Sequence, residues 1–368
     1  MSDKIFRQSF AALCLAAILS PALTTAMPVR AETATEAGLV QSGYRVVQIK
    51  AVHRAQPLVV HVWYPAQAGG DVSDIGANPL FQGVPSRANA PFPRSPQPLV
   101  LLSHGSGGSA ANLGWIAAQL AAAGYIVAAP DHPGSTSGDS RQADTIRIWE
   151  RPADLSAALD GLLADPDWSA AIDPQRISAL GFSLGGYTVL AVAGARVTAD
   201  AYARYCDAMP DTGGIVSDCA WMKAGRIDLH ALDTVRFNRD NRDPRLTAAI
   251  AVDPALAQAF APESLTGIKL PVDVINLGQP RKIPLAVAAA QVADAIPGAR
   301  YQTLADAIHF SFLGECRANG AEILKAAGEP EPLCTDGGGR SRAAIHAGLA
   351  GMILAALARG PGGVPNPK

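Results

Sequence analysis

Apolar, β-branched runs alternate along this chain with Ala- and Leu-rich stretches of helical character. Such alternation is typical of an α/β fold, with a mostly parallel central sheet flanked by helices. The apolar runs predict strands at 44–49, 58–64, 99–103, 125–129, 176–180, 246–252, 272–276 and 300–304. The stretches between them predict helices at 113–123, 152–163, 186–193, 283–296 and 343–357.

Two segments interrupt the alternation. Residues 66–97 are rich in Pro, Gly and Asn and predict a loop insertion between strands. Residues from about 196 to 245 are polar, contain two cysteines and follow the predicted helix at 186–193. Long insertions in compact domains tend to form lids or pocket walls, so we expect a lid-like role for the second. Since no repeat or second complete core is evident, residues 32–368 predict one domain.

The N-terminus has the pattern of a targeting segment. Lys4 and Arg7 precede an apolar run at 10–19 that is too short to span a bilayer as a mature anchor. Small residues allow cleavage after Ala26 or after Ala31, so residues 1–31 predict a signal peptide. An uncleaved anchor or an N-terminal helix is the alternative. We expect an exported protein, periplasmic or secreted, with no transmembrane anchor in the mature chain.

Charge and cysteine content narrow the chemistry further. The net charge is −2 and no basic run occurs, which argues against nucleic acid or an anionic membrane surface as a partner. Outside the N-terminal run, four cysteines allow three pairings. We predict Cys206–Cys219 and Cys316–Cys334, each closing a short loop that adds about 3 kcal/mol of stability. Four free thiols are the alternative. No Cys-x-x-Cys or paired histidines suggest a metal site, and no cofactor is expected.

The pentapeptide from Gly181 to Gly185 carries the main chemical signal. It reads Gly-Phe-Ser-Leu-Gly and lies between the predicted strand at 176–180 and the helix at 186–193. At such a corner the serine is held in a strained turn with its hydroxyl exposed. The spacing alone is weak evidence, because chance gives about 0.2 such matches at this composition. With its context, it predicts Ser183 as an acyl-transfer nucleophile and the Leu184 amide as an oxyanion donor.

A serine nucleophile needs a base, and His309 is the candidate. It follows the last predicted strand by a short loop, and loops after strand carboxyl ends converge on the nucleophile in such folds. A histidine packed as pocket wall is the alternative. Asp253, directly after the strand at 246–252, is the candidate acid that orients the imidazole. Its alternative role is a helix cap, and Asp306 and Asp273 are weaker candidates for the acid.

The second oxyanion donor should come from the loop after the strand at 99–103, which reads Ser103-His-Gly-Ser-Gly-Gly108. Its glycines permit close backbone approach, and we predict the Ser106 amide as the donor. His104 is expected to shape the turn. A tight turn whose glycines only satisfy backbone geometry is the alternative.

Together these residues resemble the α/β-hydrolase superfamily, and within it bacterial proteins labelled as predicted dienelactone hydrolases and the platelet-activating-factor acetylhydrolase group. The resemblance runs from about residue 44 to 312. It rests on the motifs at 103–108 and 181–186, and on Pro-Asp-His-Pro-Gly at 130–134, Trp-Glu-Arg-Pro-Ala-Asp at 149–154 and His-Phe-Ser-Phe at 309–312. The resemblance implies the α/β-hydrolase fold, serine-based hydrolysis and an acid after the earlier strand, hence Asp253. True dienelactone hydrolases use a cysteine nucleophile, so that activity is not implied here.

The sequence thus predicts an exported serine hydrolase of carboxylic esters, with a small-molecule or lipid-like ester as substrate. An amidase or peptidase with the same triad is the second hypothesis. A non-catalytic binding protein on the same fold is the third.

Overall fold

The centre of the molecule is a mixed β-sheet with apolar side chains on both faces. The computed structural model describes residues 41–93, 95–209, 218–329 and 331–360. In that part of the chain, ten strands share one sheet and two more form a small hairpin. The strands are β1 (Ser42–Ile49), β2 (Leu58–Pro65), β3 (Asp71–Ile75), β4 (Val84–Ala88), β5 (Gln97–Ser103), β6 (Ile126–Pro130), β7 (Ser135–Thr136), β8 (Asp139–Ser140), β9 (Ile172–Phe182), β10 (Ala248–Val252), β11 (Val272–Leu277) and β12 (Arg300–Leu304).

The strand order across the sheet is β12-β11-β10-β9-β5-β6-β2-β1-β4-β3. From β12 to β6 every neighbouring pair is parallel, whereas β2 runs antiparallel to both β6 and β1. The mostly parallel sheet that the sequence predicts is therefore confirmed. Because the carboxyl ends of parallel strands meet at one edge, the loops after β5, β9, β10 and β12 lie together.

Helices cover both faces of this sheet. They are α1 (Gly114–Ala122), α2 (Gln142–Thr145), α3 (Glu150–Ala164), α4 (Pro166–Ala171), α5 (Leu184–Ala193), α6 (Ala199–Asp207), α7 (Asp218–Ala224), α8 (Thr234–Phe237), α9 (Pro262–Leu265), α10 (Ala290–Ala295), α11 (Gly320–Ala327) and α12 (Arg342–Arg359). Short 3₁₀ turns occupy Ala111–Leu113, Leu229–Ala231, Leu285–Val287 and His309–Phe312.

Strand β5 shows how the sheet divides the core. Successive side chains of a strand point to opposite faces. Leu99 and Leu101 accordingly join a buried cluster with α3 and α5 on one face. Val100 and Leu102 join a second cluster with α1 and α12 on the other. Helix α12 is long and apolar enough to cross a membrane, but its residues such as Ile353 are buried in this second cluster.

The segment 66–97, predicted as a loop, contains strands β3 and β4 and corrects that prediction. β4 pairs with β1, and β3 closes the edge of the sheet. Both strands are short and largely polar, and β3 has no fully buried residue. Pro85 is tolerated because it lies near a sheet edge. Edge strands of this kind lack the alternating apolar pattern from which strands are predicted.

The helix predicted at 283–296 is also corrected. The structure has a 3₁₀ turn at Leu285–Val287, an extended Ala288, and then α10. Asn276 causes this break, because its side chain donates to the Val287 carbonyl over 2.8 Å and accepts from the Ala289 amide over 3.0 Å. A side chain that satisfies these backbone groups replaces the helical hydrogen bonds.

Where the structure describes it, the polar insertion at 196–245 holds three helices, α6, α7 and α8, which pack into the main core. Tyr202, Met222 and Phe237 are buried in the same cluster as β5 and α3. A disulfide joins Cys206 to Cys219 across α6 and α7, and a second joins Cys316 to Cys334. The predicted pairing is therefore confirmed. The predicted signal peptide, at residues 1–31, lies outside the described residues.

Candidate active site

Ser183 stands at the corner between β9 and α5 in a backbone conformation that non-glycine residues rarely adopt. Its φ is 57° and its ψ is −120°. The corner is this tight because its flanking glycines leave no room for a side chain. A Cβ on Gly181 would lie 2.0 Å from the Gly185 carbonyl oxygen, and one on Gly185 would lie 2.0 Å from that of Ser103. The hydroxyl is thereby lifted to the edge of the sheet, where it is half-buried.

The structure brings Ser183, His309 and Asp253 into one hydrogen-bonded chain. His309 Nε2 is 3.2 Å from Ser183 Oγ, and His309 Nδ1 is 2.9 Å from Asp253 Oδ2. His309 is 4% exposed and Asp253 is fully buried. A carboxylate at Nδ1 keeps that nitrogen protonated, which leaves Nε2 free to accept the serine proton. The imidazole packs 4.7 Å from the ring of Phe182, measured between centroids.

Asp253 is held from behind by a residue that sequence reasoning missed. Its Oδ1 accepts from Asn276 Nδ2 over 2.7 Å and from the Leu277 amide over 2.8 Å. The side-chain oxygen of Asn276, Oδ1, in turn accepts from the Tyr301 hydroxyl over 3.0 Å. Burial, and the charge of Asp253 after it, raise the pKa of Tyr301, so this hydroxyl stays protonated as a donor. The available signal was a polar asparagine near the end of a strand that is otherwise apolar apart from Asp273.

The other two candidate acids are engaged elsewhere. Asp306 forms an ion pair with Arg340, whose Nη2 lies 2.8 Å from Oδ1. Hydrogen bonding from Arg340 lowers the pKa of Asp306. Asp273 forms an ion pair with Arg359 near the end of α12. These partners explain why Asp273 stands in a buried strand.

The loop after β5 lies directly against Ser183. A Cβ on Gly105 would be 3.1 Å from Cβ of Ser183. Within the described chain, the amides of Ser106 and Leu184 have no hydrogen-bond acceptor, so both remain available for a ligand. His104 Nδ1 donates to the Gly105 carbonyl over 2.7 Å and thus shapes the turn. The Ser106 and Leu184 amides are the two that the sequence predicts as oxyanion donors.

A buried charged cluster underlies this loop. The carboxylate of Asp154 accepts from Arg54, His53 and His132 at 2.7–2.9 Å. Burial opposes its charge, but these hydrogen bonds hold the pKa of Asp154 well below its usual range. Burial lowers the pKa of His132 to about 3, with the nearby charge of Arg151 acting in the same direction. His132 belongs to the motif at 130–134, and Arg151 and Asp154 belong to the motif at 149–154.

A cavity of about 70 Å³ lies between the insertion at 66–97 and two segments, one following the loop after β5 and one following the His309 turn. Its lining includes Ala111 and Asn112 beyond the loop after β5, Gly314 beyond the His309 turn, and Phe81 of the insertion. Among the residues that the structure describes, no group of three or more His, Cys, Asp or Glu side chains could hold a metal ion.

Comparison with known proteins agrees with this architecture. A family model described as the alpha/beta hydrolase family matches residues 99–322, well over half of the chain. The fold is similar to that of a ferulic acid esterase from Streptomyces cinnamoneus, with a TM-score of 0.60 and 20% identity, covering 89% of this chain and 92% of that one. A dienelactone hydrolase from Anabaena variabilis matches with a TM-score of 0.41 and 16% identity, covering 78% of this chain and 96% of that one. No curated protein sequence matches.

Proposed function

This chain belongs to the alpha/beta hydrolase family, and from that premise we propose that it is a serine hydrolase that cleaves carboxylic esters through an acyl-enzyme. The observation that carries the proposal is the hydrogen-bonded chain from Ser183 through His309 to Asp253. It combines a nucleophile, a base within reach of its proton and a buried carboxylate that orients the base.

In the first half of the reaction, Ser183 Oγ attacks the ester carbonyl while His309 Nε2 takes the hydroxyl proton. The carbonyl electrons move to oxygen and give a tetrahedral oxyanion. When they return, the bond to the alkoxide breaks, and His309 delivers its proton to that leaving group. In the second half, His309 removes a proton from water, the hydroxide attacks the acyl-enzyme, and the acid product leaves as Ser183 is reprotonated. Asp253 stabilises the imidazolium in both halves.

The amides of Ser106 and Leu184 stabilise the oxyanion. Both come from backbone at the edge of the sheet, so neither depends on a side-chain rotamer. Removing one such donor typically slows the reaction about 10²- to 10³-fold. The Leu184 amide is also the first of α5, where the helix dipole favours negative charge.

The substrate pocket in this proposal is bounded by the insertions at 66–97 and 196–245. Since few charged residues occur in the first segment, we expect a neutral or weakly polar ester of modest size.

The decisive experiment is hydrolysis of p-nitrophenyl acetate through decanoate by the chain from Glu32, expressed under oxidising conditions. We expect activity that Ser183→Ala abolishes and that Ser169→Ala, which removes a hydroxyl from α4, leaves unchanged. Turnover that survives Ser183→Ala would rule the mechanism out. The chain-length profile measures the acyl pocket, and methyl ferulate belongs in the panel because a structural neighbour is a ferulic acid esterase.

Esterase and amidase activities are separated by an ester and its matched amide. Amides have the poorer leaving group and demand more of His309 as proton donor, so we expect the ester to react far faster. A protein that neither turns over these substrates nor reacts at Ser183 with a fluorophosphonate would be a binding protein instead.

Export is part of the proposal. The two disulfides support it, since such bridges persist in oxidising compartments and are rare in the cytosol of mesophiles. Mass spectrometry of the mature N-terminus checks it: cleavage after Ala31 or Ala26 is expected, and an intact N-terminus in the cell body would contradict it.

A further inference from the structure

One guanidinium connects three elements around the proposed site. Arg151 lies in the first turn of α3 and is 2% exposed. Its Nε donates to Thr188 Oγ1 over 3.1 Å and its Nη1 donates to Ser135 Oγ over 2.6 Å. Its Nη2 donates to the carbonyl of His104 and, over 3.4 Å, to Ser103 Oγ. The side chain therefore joins the end of β5, the β7 hairpin and α5.

This cation is held by neutral acceptors. Among the described residues, no carboxylate lies within ion-pair distance of Arg151, and Asp154 is occupied by Arg54 and two histidines. Burial lowers the pKa of Arg151 to about 9, although the charge of Asp154 opposes this effect. At neutral pH the group is still charged. Keeping a charge buried without a direct counter-ion is costly, so its retention needs an explanation other than core packing.

Hydrogen bonds to the His104 carbonyl and from the His104 ring fix the direction of two successive peptide groups. A peptide is planar and trans, so its carbonyl and its N–H point in opposite directions. Arg151 holds the His104 carbonyl, which sets the Gly105 amide. The Gly105 carbonyl accepts from His104 Nδ1 over 2.7 Å and from the Gly108 amide over 3.2 Å, which sets the Ser106 amide.

The tautomer of His104 follows from its neighbours. Burial, and then the charge of Arg151, lower the pKa of His104 well below its usual range, so the ring is neutral. Its Nε2 accepts from the His132 amide over 3.1 Å, which leaves the proton on Nδ1. His104 Nδ1 is thus the donor that holds the Gly105 carbonyl, one peptide along from the carbonyl that Arg151 holds.

Through Thr188, the same guanidinium also reaches the peptide that follows the second proposed donor. Thr188 Oγ1, which accepts from Arg151, donates to the Leu184 carbonyl over 2.8 Å. Leu184 and Ser106 are the two residues whose amides would face the oxyanion. Both are therefore connected to one rigid, planar group.

We propose that Arg151 is a positioning residue: by holding the peptides next to them, it keeps the amides of Ser106 and Leu184 in the geometry required to bind the oxyanion. The inference rests on the proposed function and goes beyond it, because it assigns a role to the buried motif at 149–154. It predicts loss of transition-state binding rather than of substrate binding.

The test uses Arg151→Met and Arg151→Lys, with Arg245→Lys as the matched control. Arg245 also donates hydrogen bonds from several guanidinium nitrogens, but its acceptors are the carboxylates of Asp243 and Asp160. Active sites are titrated with a fluorophosphonate, and kcat per site, KM and the inhibition constant of a trifluoromethyl ketone are measured. For Arg151→Met we expect kcat per site to fall about 10²-fold and ketone binding to weaken in proportion, with KM within about threefold.

The lysine variant separates charge from geometry. Lysine keeps the charge but lacks the planar fork, so activity should stay at least about tenfold below wild type. Full recovery in Arg151→Lys would overturn the positioning role. The positioning role would also be overturned if Arg151→Met had fewer titratable sites but unchanged kcat per site and unchanged ketone binding. That result would show that the substitution affects folding alone. If Arg151→Met does not fold, Ser135→Ala removes one acceptor and should lower kcat about two- to tenfold at unchanged KM.

Amide hydrogen exchange of the segment 103–108 distinguishes this inference from the proposed function. We expect exchange there to accelerate about tenfold in Arg151→Lys and to match wild type in Arg245→Lys. This readout needs no turnover, so it decides the role of Arg151 even if the wild-type chain hydrolyses nothing. Unchanged exchange in an active enzyme would overturn the role of Arg151 while leaving the proposed function intact.

Discussion

At the scale of single residues, the proposed site concentrates backbone strain. Ser183 has a φ of 57° and Asp253 a φ of 44°, so the proposed nucleophile and the proposed acid both lie in the left-handed region that side chains disfavour. Such conformations cost about 1–3 kcal/mol each and persist only when the surrounding structure enforces them. Here the ladders of β9, β10 and β11 do so, since the amides of Ser183 and Asp253 donate to Val252 and Ile275 in neighbouring strands.

Relieving this strain should stabilise the protein at the expense of activity. We expect Ser183→Gly to raise the free energy of unfolding by about 1 kcal/mol relative to Ser183→Ala, because glycine adopts this φ without a steric penalty. Both variants lack the hydroxyl, so both should be inactive and the comparison isolates the backbone. Urea denaturation measures the difference. Equal stabilities would show that the corner is not strained.

We expect substitution of Asp253, the proposed acid, to lower activity far more than substitution of Asp306. Asp253→Asn keeps the shape of the side chain but removes the charge that stabilises imidazolium and selects its tautomer. By comparison with serine-protease triads, kcat should fall about 10⁴-fold. Asp306→Asn is the control, since Asp306 pairs with Arg340, and its activity should match wild type. If the two variants were reversed in effect, the acid would be Asp306.

At the scale of elements, the sequence predicts the strands and helices that contain periodic apolar residues. It misses the features that depend on contacts with residues far away in the chain. Strands β6 and β10 are apolar throughout, β5 and β9 contain mostly apolar segments, and all four are predicted. Strands β3 and β4 are too polar to be recognised. The role of Asn276 could not be predicted either. Its effect on the helix predicted at 283–296 and on Asp253 arises only when β10 and β11 pair. Contacts across the sheet, rather than local propensity, decide these features.

Helix α12 supplies an acid-sensitive contact. His346 stacks on Trp115 at 3.7 Å between centroids, and its Nε2 donates to the carbonyls of Ser311 and Leu313. Burial, and then the charge of Arg342, lower its pKa to about 4 from 6.5. Between these values the unfolded chain binds a proton that the folded chain does not. Stability from this group is therefore complete above pH 6.5 and falls as the pH drops toward 4.

Removing that histidine should flatten the acid dependence of stability. Between pH 7.5 and 5, the free energy of unfolding of His346→Gln should fall about 2 kcal/mol less than that of wild type. The readout is this difference between two pH values, so any loss of packing on Trp115 cancels. Urea denaturation at both pH values checks it. An identical fall in both proteins would contradict the buried, neutral state.

At the scale of the whole molecule, the site gathers loops that are far apart in sequence. Ser103–Gly108, Ser183, Asp253 and His309 lie together only because β5, β9, β10 and β12 run parallel in one sheet. Strand order along the chain made their meeting predictable. The packing of the insertion at 196–245 into the main core was not predictable, since its buried Tyr202 and Phe237 occur in a polar context.

The two disulfides should contribute independently to the free energy of unfolding of the molecule. They close loops of sequence separation 13 and 18 in different segments. Replacing either pair with alanine should lower the free energy of unfolding by about 3 kcal/mol, and replacing both should lower it by about 6 kcal/mol. Urea denaturation of the two double variants and the quadruple variant tests this. A quadruple loss far from the sum would show that the bridges share one cooperative element.

The placement of these bridges also bears on how the chain acquires them during synthesis. Cys206 and Cys219 emerge about 100 residues before Cys316, a delay of about 5–20 s at ordinary elongation rates. In an oxidising compartment the first pair can close before any competing thiol from the second pair arrives. The second pair then meets only its own partner. The native connectivity is thus the one that order of emergence favours, and correct oxidation should require little help from a disulfide isomerase.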